Sequence, residues 1–437
     1  MNQFVWYKNE KIRDYLLQTN IEEISKIFKN NYIYEKDIVI CKGNTQLDIY
    51  IQWLACLRND ILPIFVFSEV SNENIYNWNT NLGIKAILES KNGKHTIHKL
   101  TKGGVAADFL KEIDTGSVIH LTSATTGNPK LVLRTKQQLD AELERYSRYL
   151  KISEKDVVLP IVPINHSFGF ISGMLLSIKT NATLVLPDNL LPRNIVQLSN
   201  KYKVTMMLGI PYFYRKMIEI SNKYHLNNEL RYIIASGGPM EKGLQREFRQ
   251  RFGKKLLQQY GSTETGSLAI GYSEINNRYV GKPIPGAKVE IMKDKFLRSC
   301  LYVNSAETIG GYITETGIEW LNGKYKTGDM ANIDSSGGIE LLGRCDDVLI
   351  VDGKKVDKRY VETCIKTITG ITEAKIYLGK SGTATELICK YTGEQELSKE
   401  KFITKCKPVL ATFQIPKKFI YVENTYFQSS RSWKAGF

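Results

Sequence analysis

For its first three hundred residues or so, the chain alternates short apolar runs rich in β-branched residues with segments whose apolar positions recur every three or four residues. No other feature constrains the fold as strongly. Such a chain forms βαβ units around a largely parallel sheet, because each helix must reverse the chain direction and bury its apolar stripe on the strands. The runs that read as strands are Asp37 to Cys41, Ile61 to Phe67, Val118 to Thr122, Val157 to Val162, Thr183 to Leu186, Thr205 to Gly209 and Tyr232 to Ala235. Between them, Leu139, Leu143, Tyr146 and Leu150 keep helical spacing, as do Tyr214, Met217 and Ile218 behind Pro211, a residue suited to a first helical turn. After Lys282 the texture changes. Short alternating stretches, Lys288 to Met292, Cys300 to Val303, Gly311 to Thr314 and Gly338 to Leu342, are separated by Gly, Asn and Asp and predict a small antiparallel, barrel-like part. Beyond Gly343 the strand and helix patterns resume over a length sufficient for a small α+β domain. The expected fold class is α/β, with a large multi-layer N-terminal domain over residues 1–343 (β-sheets, helices and a small β-barrel) and a small α+β C-terminal domain over 344–437.

Composition narrows the class of partner. Of 437 residues, 42% are hydrophobic and 24% charged, which excludes collagenous, mucin-like and largely disordered chains. Lys plus Arg number 60 against 45 Asp plus Glu, a net charge of +15. That surplus suits nucleotides, coenzyme A, acidic carrier proteins, nucleic acid or lipid head groups, and a lysine-rich solvated surface accounts for it equally well. The seven cysteines are scattered and never spaced Cys-x-x-Cys, so neither a disulfide framework nor a zinc site is expected. Met1 to Lys11 has no apolar run of signal-peptide type, and apolar stretches such as Phe170 to Ile178 are too short to span a bilayer. No transmembrane segment and a cytoplasmic location are expected. A nucleic-acid partner is not, since no basic stripe with interleaved aromatics accompanies the charge.

Chemistry first concentrates in Thr122-Ser123-Ala124-Thr125-Thr126-Gly127-Asn128-Pro129-Lys130, directly after an expected strand. Hydroxyls, backbone N–H groups and one ammonium in a single turn can cradle phosphates, since each donor offsets part of a dense negative charge. A loop of this composition is also an ordinary turn. It is not the P-loop of NTPases, in which the lysine directly precedes a Ser or Thr.

Four further islands follow in order: Ser236-Gly237-Gly238-Pro239, Tyr260-Gly261-Ser262-Thr263-Glu264, Tyr325-Lys326-Thr327-Gly328-Asp329 and Gly343-Arg344-Cys345-Asp346-Asp347. With them the chain, from Asn44 to near its end, resembles the adenylate-forming superfamily of acyl-CoA and aryl-CoA synthetases, nonribosomal peptide adenylation domains and luciferase. The family loop reads Thr-Ser-Gly-Ser/Thr-Thr-Gly-x-Pro-Lys-Gly, and this chain departs from it at Ala124 and Leu131.

The resemblance implies roles residue by residue. Thr122, Ser123, Thr125, Thr126, Gly127 and Lys130 would hold the ATP phosphates. Gly237 and Gly238 would pass close to the adenine, where a backbone without Cβ can approach a flat ring. Tyr260 would stack on the adenine, beside Gly261 and Ser262; Thr263 would bind the α-phosphate and Glu264 would ligate Mg²⁺, a hard cation suited to carboxylate and phosphate oxygens. Asp329 would accept the ribose hydroxyls and Arg344 would add a cation nearby. His166, in Pro163-Ile164-Asn165-His166-Ser167-Phe168-Gly169, would orient the substrate carboxylate, with Phe168, Tyr212, Phe213 and Ser236 as pocket walls. Asp346 would be the hinge on which a mobile C-terminal domain turns between two half-reactions, and Gly353 and Lys354 would meet the thiol. Lys434, in Ser432-Trp433-Lys434-Ala435-Gly436, would be the catalytic lysine, although Trp433 stands where the family has Gly.

The implied activity is adenylation of a carboxylic acid by ATP and Mg²⁺, with an aryl or fatty acid favoured. Transfer to coenzyme A or to the phosphopantetheine of an acyl or aryl carrier protein would follow. The departures at Ala124, Leu131 and Trp433 also admit a relative that binds nucleotide without turnover.

Overall fold

The computed structural model describes residues 5–8, 10–66, 83–91, 93–100, 112–122, 130–220, 223–294, 298–304, 307–314, 317–321, 324–351, 354–381 and 384–422. The β-rich runs form strands close to where the sequence places them, and their parallel pairing fits an α/β chain. In one sheet, Val5–Tyr7, Thr183–Leu186, Val157–Pro160, Met206–Gly209, Tyr232–Ala235 and Leu256–Ser262 lie side by side in that order, all parallel. Gly266–Gly271 and then Tyr279–Pro283 continue it antiparallel. A second sheet pairs Val118–Leu121, Leu62–Val66, Ile38–Gly43 and Ala86–Lys91 in parallel. Leu131–Arg134 flanks it antiparallel, and the hairpin of Gly311–Thr314 and Gly317–Trp320 pairs onto that strand. A segment from the late antiparallel part of the chain is thus carried to the sheet that bears the Thr122 to Lys130 loop.

Helices supply the layer between. Gln46–Arg58 starts at Thr45 and Lys136–Leu150 at Thr135, each with a reciprocal capping box that satisfies otherwise orphaned backbone donors. Leu139, Leu143, Tyr146 and Leu150 are all buried, as their spacing predicts, in one core with Trp53, Phe65 and Phe170. Each such large side chain contributes about 1.5–3 kcal/mol on burial. Phe168–Leu175 is wound as a π-helix and wholly buried. Gly169 lets it approach: a Cβ there would stand 2.6 Å from Pro163 O.

The chain divides into two compact units, Met1–Met292 with Leu301–Thr327 and Ala331–Leu341, and Lys293–Cys300 with Gly328–Met330 and Leu342–Phe437. In the second, Ile371–Ser381 and Ala384–Gly393 form a long hairpin with Lys418–Tyr421 parallel beside it. Helix Lys358–Lys366, capped by Asp357, and helix Lys399–Cys406 complete it. Its core is its own: Val361, Ile365, Ile376, Leu387, Tyr391 and Phe402. Among the described residues no helix is long and apolar enough to cross a membrane.

Candidate functional site

The Tyr260 to Gly266 island turns tightly between the antiparallel strands Leu256–Ser262 and Gly266–Gly271. Ser262 Oγ and Thr265 Oγ1 lie 3.1 Å apart, and Ser262 N donates to Thr265 Oγ1 at 3.2 Å, which closes the turn. Gly266 has φ +65, and a Cβ there would stand 2.1 Å from a Glu142 carboxylate oxygen, so both backbone hand and space demand glycine. Glu142 accepts from Ser267 N at 2.8 Å and pairs at 2.8 Å with Arg134, whose other terminal nitrogen donates to Thr263 O at 3.2 Å. Side chains of Arg134 and Glu142 are 0% and 2% exposed, so this ion pair braces the turn from within the core.

The turn presents Thr263 and Glu264. Thr263 Oγ1 lies 3.1 Å from Ser167 Oγ, which ties the island to the segment that carries His166. Glu264 Oε1 accepts from Tyr312 Oη at 2.9 Å, and its backbone oxygen accepts from Gly310 N at 2.8 Å. Tyr312 and Tyr325 hydroxyls lie 3.3 Å apart. Burial first, and then the charge of Glu264, push both phenols well above their ordinary pKa, so both stay protonated and Tyr312 remains a donor.

Lys130 places its ammonium 4.4 Å from the centre of the Tyr312 ring. Thr122 N donates to Lys130 O at 2.9 Å and closes the base of the loop. Ser123, Thr125, Thr126 and Gly127 lie outside the described residues, as do Gly353 and Lys434.

His166 is exposed to solvent, yet the protein packed around its imidazole lowers its pKa from the ordinary value. Phe168 N donates to His166 Nδ1 at 3.3 Å, so the neutral ring carries its proton on Nε2. Phe168 is buried beside it. Ser236 is buried and donates to Gln259 O at 3.1 Å, with Gly237 at φ +78 and Gly238 following at the surface. Tyr260 is buried in the core of Leu268, Val280 and Leu301. On helix Pro211–Ile218 the two aromatics part: Phe213 packs into the core with Tyr214, whereas Tyr212 is 54% exposed beneath Lys216.

In the second unit, Asp329 and Arg344 pair at 3.0 Å, and Gly328, at φ +81, makes room for that guanidinium. Asp346 lies in the single turn Cys345–Asp347, and Lys354 opens the strand Lys354–Asp357.

The sequence reading missed Tyr312, Ser167, Arg134 and Glu142. Only Glu142 left a signal, a carboxylate three residues after Leu139 and four before Tyr146, on the apolar stripe of its helix. Among the described residues no three His, Cys, Asp or Glu groups gather to hold a metal by themselves.

Comparison with known proteins places this arrangement. Residues 17–313, more than half of the chain, match the model of the AMP-binding enzyme family. A 3,4-dihydroxybenzoate–aryl-carrier protein ligase of Bacillus anthracis is 28% identical over 289 residues, 65% of this chain and 63% of that protein. A 2-succinylbenzoate–CoA ligase of Bacillus subtilis is 26% identical over 362 residues, 77% of this chain and 73% of that protein. The chain thus spans less than two thirds of the first of these relatives. Among solved structures, o-succinylbenzoate coenzyme A synthetase of Bacillus subtilis in complex with ATP and magnesium ion superposes with a TM-score of 0.75 at 20% identity, over 96% of this chain and 93% of that one. The shared fold, the ordered motif islands and the family match agree: the chain is a member of the AMP-binding enzyme family.

Proposed function

We propose that the protein is an ATP-dependent, AMP-forming acid–thiol ligase. One observation carries the reading. Tyr312 joins Glu264 to Lys130, and Thr263, next to Glu264 in the chain, meets Ser167, so three separated segments supply hydroxyl, carboxylate and ammonium groups suited to a nucleotide triphosphate.

In the first half-reaction a carboxylate oxygen of the acid attacks the α-phosphorus of ATP; the bond to the β-phosphate oxygen breaks and pyrophosphate leaves. The loop Thr122 to Lys130, with Ser123, Thr125, Thr126 and Gly127, holds the phosphates, and Thr263 donates to the α-phosphate. Gly237, Gly238, Tyr260, Gly261 and Ser262 take the adenine side, and Asp329 and Arg344 the ribose. His166, neutral and with its proton on Nε2, donates to the substrate carboxylate and orients it. Phe168 and Ser236 border the acyl group. Tyr212 and Phe213 of helix Pro211–Ile218 are assigned to the same pocket, Tyr212 from an exposed position and Phe213 from the core.

The donor set at Glu264 fits Mg²⁺. Glu264 offers hard carboxylate oxygen held in place by Tyr312, and since no three His, Cys, Asp or Glu groups gather there among the described residues, phosphate oxygens and water would complete the shell. When bound with ATP the ion supplies charge neutralisation on the phosphates.

In the second half-reaction a thiol sulfur forms a bond to the acyl carbon, the anhydride bond breaks and AMP leaves. Lys434 is assigned to the first step, Gly353 and Lys354 to the thiol, and Asp346 to the hinge between them. The acid is aryl or aliphatic. The acceptor is coenzyme A or a carrier-bound phosphopantetheine; relatives named for each kind of acceptor support both.

The test is ATP–pyrophosphate exchange with pooled aryl, fatty and amino acids, followed by thioester formation with coenzyme A or with a holo carrier protein. Acid-stimulated exchange is expected with the aryl or fatty pool. ATP binding without exchange in any pool overturns the reading.

A further inference from the structure

Tyr325 opens the island Tyr325 to Asp329, and the function proposed above gives it no task. Its hydroxyl lies 3.3 Å from that of Tyr312, and Tyr312 donates to Glu264 Oε1 at 2.9 Å. A phenol carries one proton. Tyr312 gives its own to the carboxylate, so in the contact between the two hydroxyls Tyr325 is the donor, and the sense of the chain from Tyr325 through Tyr312 to Glu264 is fixed. Both phenols stay protonated because they are buried beside that carboxylate. Hydrogen bonds that run in one sense polarise each other towards the last acceptor.

Strand register sets what the ring of Tyr312 meets. Tyr312 stands opposite Val132 in the antiparallel pairing of Gly311–Thr314 with Leu131–Arg134. Lys130 precedes Val132 by two residues and therefore lies one diagonal step away on the same face, within reach of a long side chain. Its ammonium sits 4.4 Å from the ring centre. A ring face takes up one side of an ammonium, whose three N–H donors can still serve an anion on the other. The backbone leading into the strand is pinned as well: Glu264 O accepts from Gly310 N at 2.8 Å, and Gln138 Nε2 donates to Ile309 O at 2.6 Å. Lys130, Glu264, Tyr312 and Tyr325 all belong to the first compact unit.

A carboxylate and an ammonium drawn to one side chain attract each other, and a direct ion pair would occupy both the metal ligand and the phosphate ligand. Tyr312 gives each a neutral partner in place of the other, its hydroxyl to Glu264 and its ring face to Lys130.

We propose that Tyr312, backed by Tyr325, is a positioning residue whose hydroxyl aims the Glu264 carboxylate at the metal and whose ring face holds the Lys130 ammonium for the triphosphate. Neither tyrosine touches a bond that is made or broken. The proposal rests on the ATP-using reading given above and adds that metal affinity and triphosphate affinity are set separately by two parts of one side chain.

The test is calorimetry of ATP binding with no acid present, first in EDTA and then across a Mg²⁺ titration. In Tyr312→Phe, which keeps the ring and loses the hydroxyl, the Mg²⁺ concentration that half-saturates its effect on ATP affinity is expected to rise about tenfold or more, with metal-free ATP affinity held within about twofold. Tyr312→Leu loses both contacts: the Mg²⁺ requirement rises as in Tyr312→Phe, and metal-free ATP binding weakens by about twofold to fivefold. Tyr325→Phe is expected to raise the Mg²⁺ requirement by about twofold and to leave metal-free binding alone. An unchanged Mg²⁺ requirement in Tyr312→Phe, even with a lower melting temperature, makes the hydroxyl merely structural and overturns the proposal; an unchanged requirement in Tyr325→Phe overturns the part given to Tyr325. Metal-free binding that is unchanged or tighter in Tyr312→Leu overturns the assignment of the ring to Lys130. Should Tyr312→Leu not fold, trifluorophenylalanine at position 312 keeps the shape of Tyr312→Phe and weakens the negative ring face: weaker metal-free binding than in Tyr312→Phe upholds the ring contact, and equal binding overturns it. If the unaltered protein binds ATP but no acid supports pyrophosphate exchange, the acid-adenylating reading fails and these binding measurements still decide the positioning role. No ATP binding by the unaltered protein overturns both.

Discussion

Tyr312 ties the strand Gly311–Thr314 to Glu264, and because its phenol is held protonated it can only donate to that carboxylate. Glu264→Gln preserves the contact and removes the charge. ATP–pyrophosphate exchange is expected to fall by about a hundredfold or more, as when one preorganised electrostatic group is lost, with the melting temperature little changed. His120 gives a second prediction at this scale. Its ordinary pKa of 6.5 is lowered to about 3 in the folded protein, so the unfolded chain binds a proton that the native one refuses. Its contribution to stability is therefore complete above pH 6.5 and is lost as the pH falls towards 3, by about 2 kcal/mol at pH 5 relative to pH 7.5. Urea unfolding at the two pH values measures it, and His120→Phe should remove that part of the pH dependence. The motif residues Thr263, Glu264, Lys130 and His166 were legible because each stands in a pattern. Tyr312 was not, since a tyrosine in an alternating strand looks like any other, and its partner Glu264 lies far away in sequence.

At the scale of elements, local pattern carried most of the information. Thr183–Leu186 and Tyr232–Ala235 form the strands their β-branched runs predict, and Gly311–Thr314 does as well. What local pattern does not contain is the partner. Tyr312 pairs with Val132, and that register is decided by burial on the second sheet rather than by either segment alone. The helix Lys136–Leu150 shows the same limit, for its apolar stripe predicts the helix but not that Glu142 on that stripe would meet Arg134 and the backbone of Ser267. Removing one member of such a pair leaves an uncompensated charge in the core. Arg134→Leu is expected to lose about 3–5 kcal/mol in urea unfolding, and Arg134→Leu with Glu142→Leu to regain much of it, since an apolar pair of similar volume can replace buried ions. Equal losses in the single and double variants would show that the geometry of the turn, and not the unpaired charge, is what the pair supplies.

For the whole molecule, the second unit has a core of its own, separate from the cores of the first, and the group that converges on Tyr312 belongs wholly to the first. The change of texture after Lys282 foretold antiparallel strands, but the compact units interleave along the chain, taking 293–300 and 328–330 into the second. That interleaving is a matter of tertiary contact, which composition does not record. The central claim is that this chain activates a carboxylate on ATP, and the most direct measurement is acid-dependent ATP–pyrophosphate exchange by the unaltered protein beside Glu264→Gln. Exchange that requires an aryl or fatty acid and falls at least a hundredfold in the variant is the expected result. Tight ATP binding with no exchange for any acid, or exchange indifferent to Glu264, would contradict it.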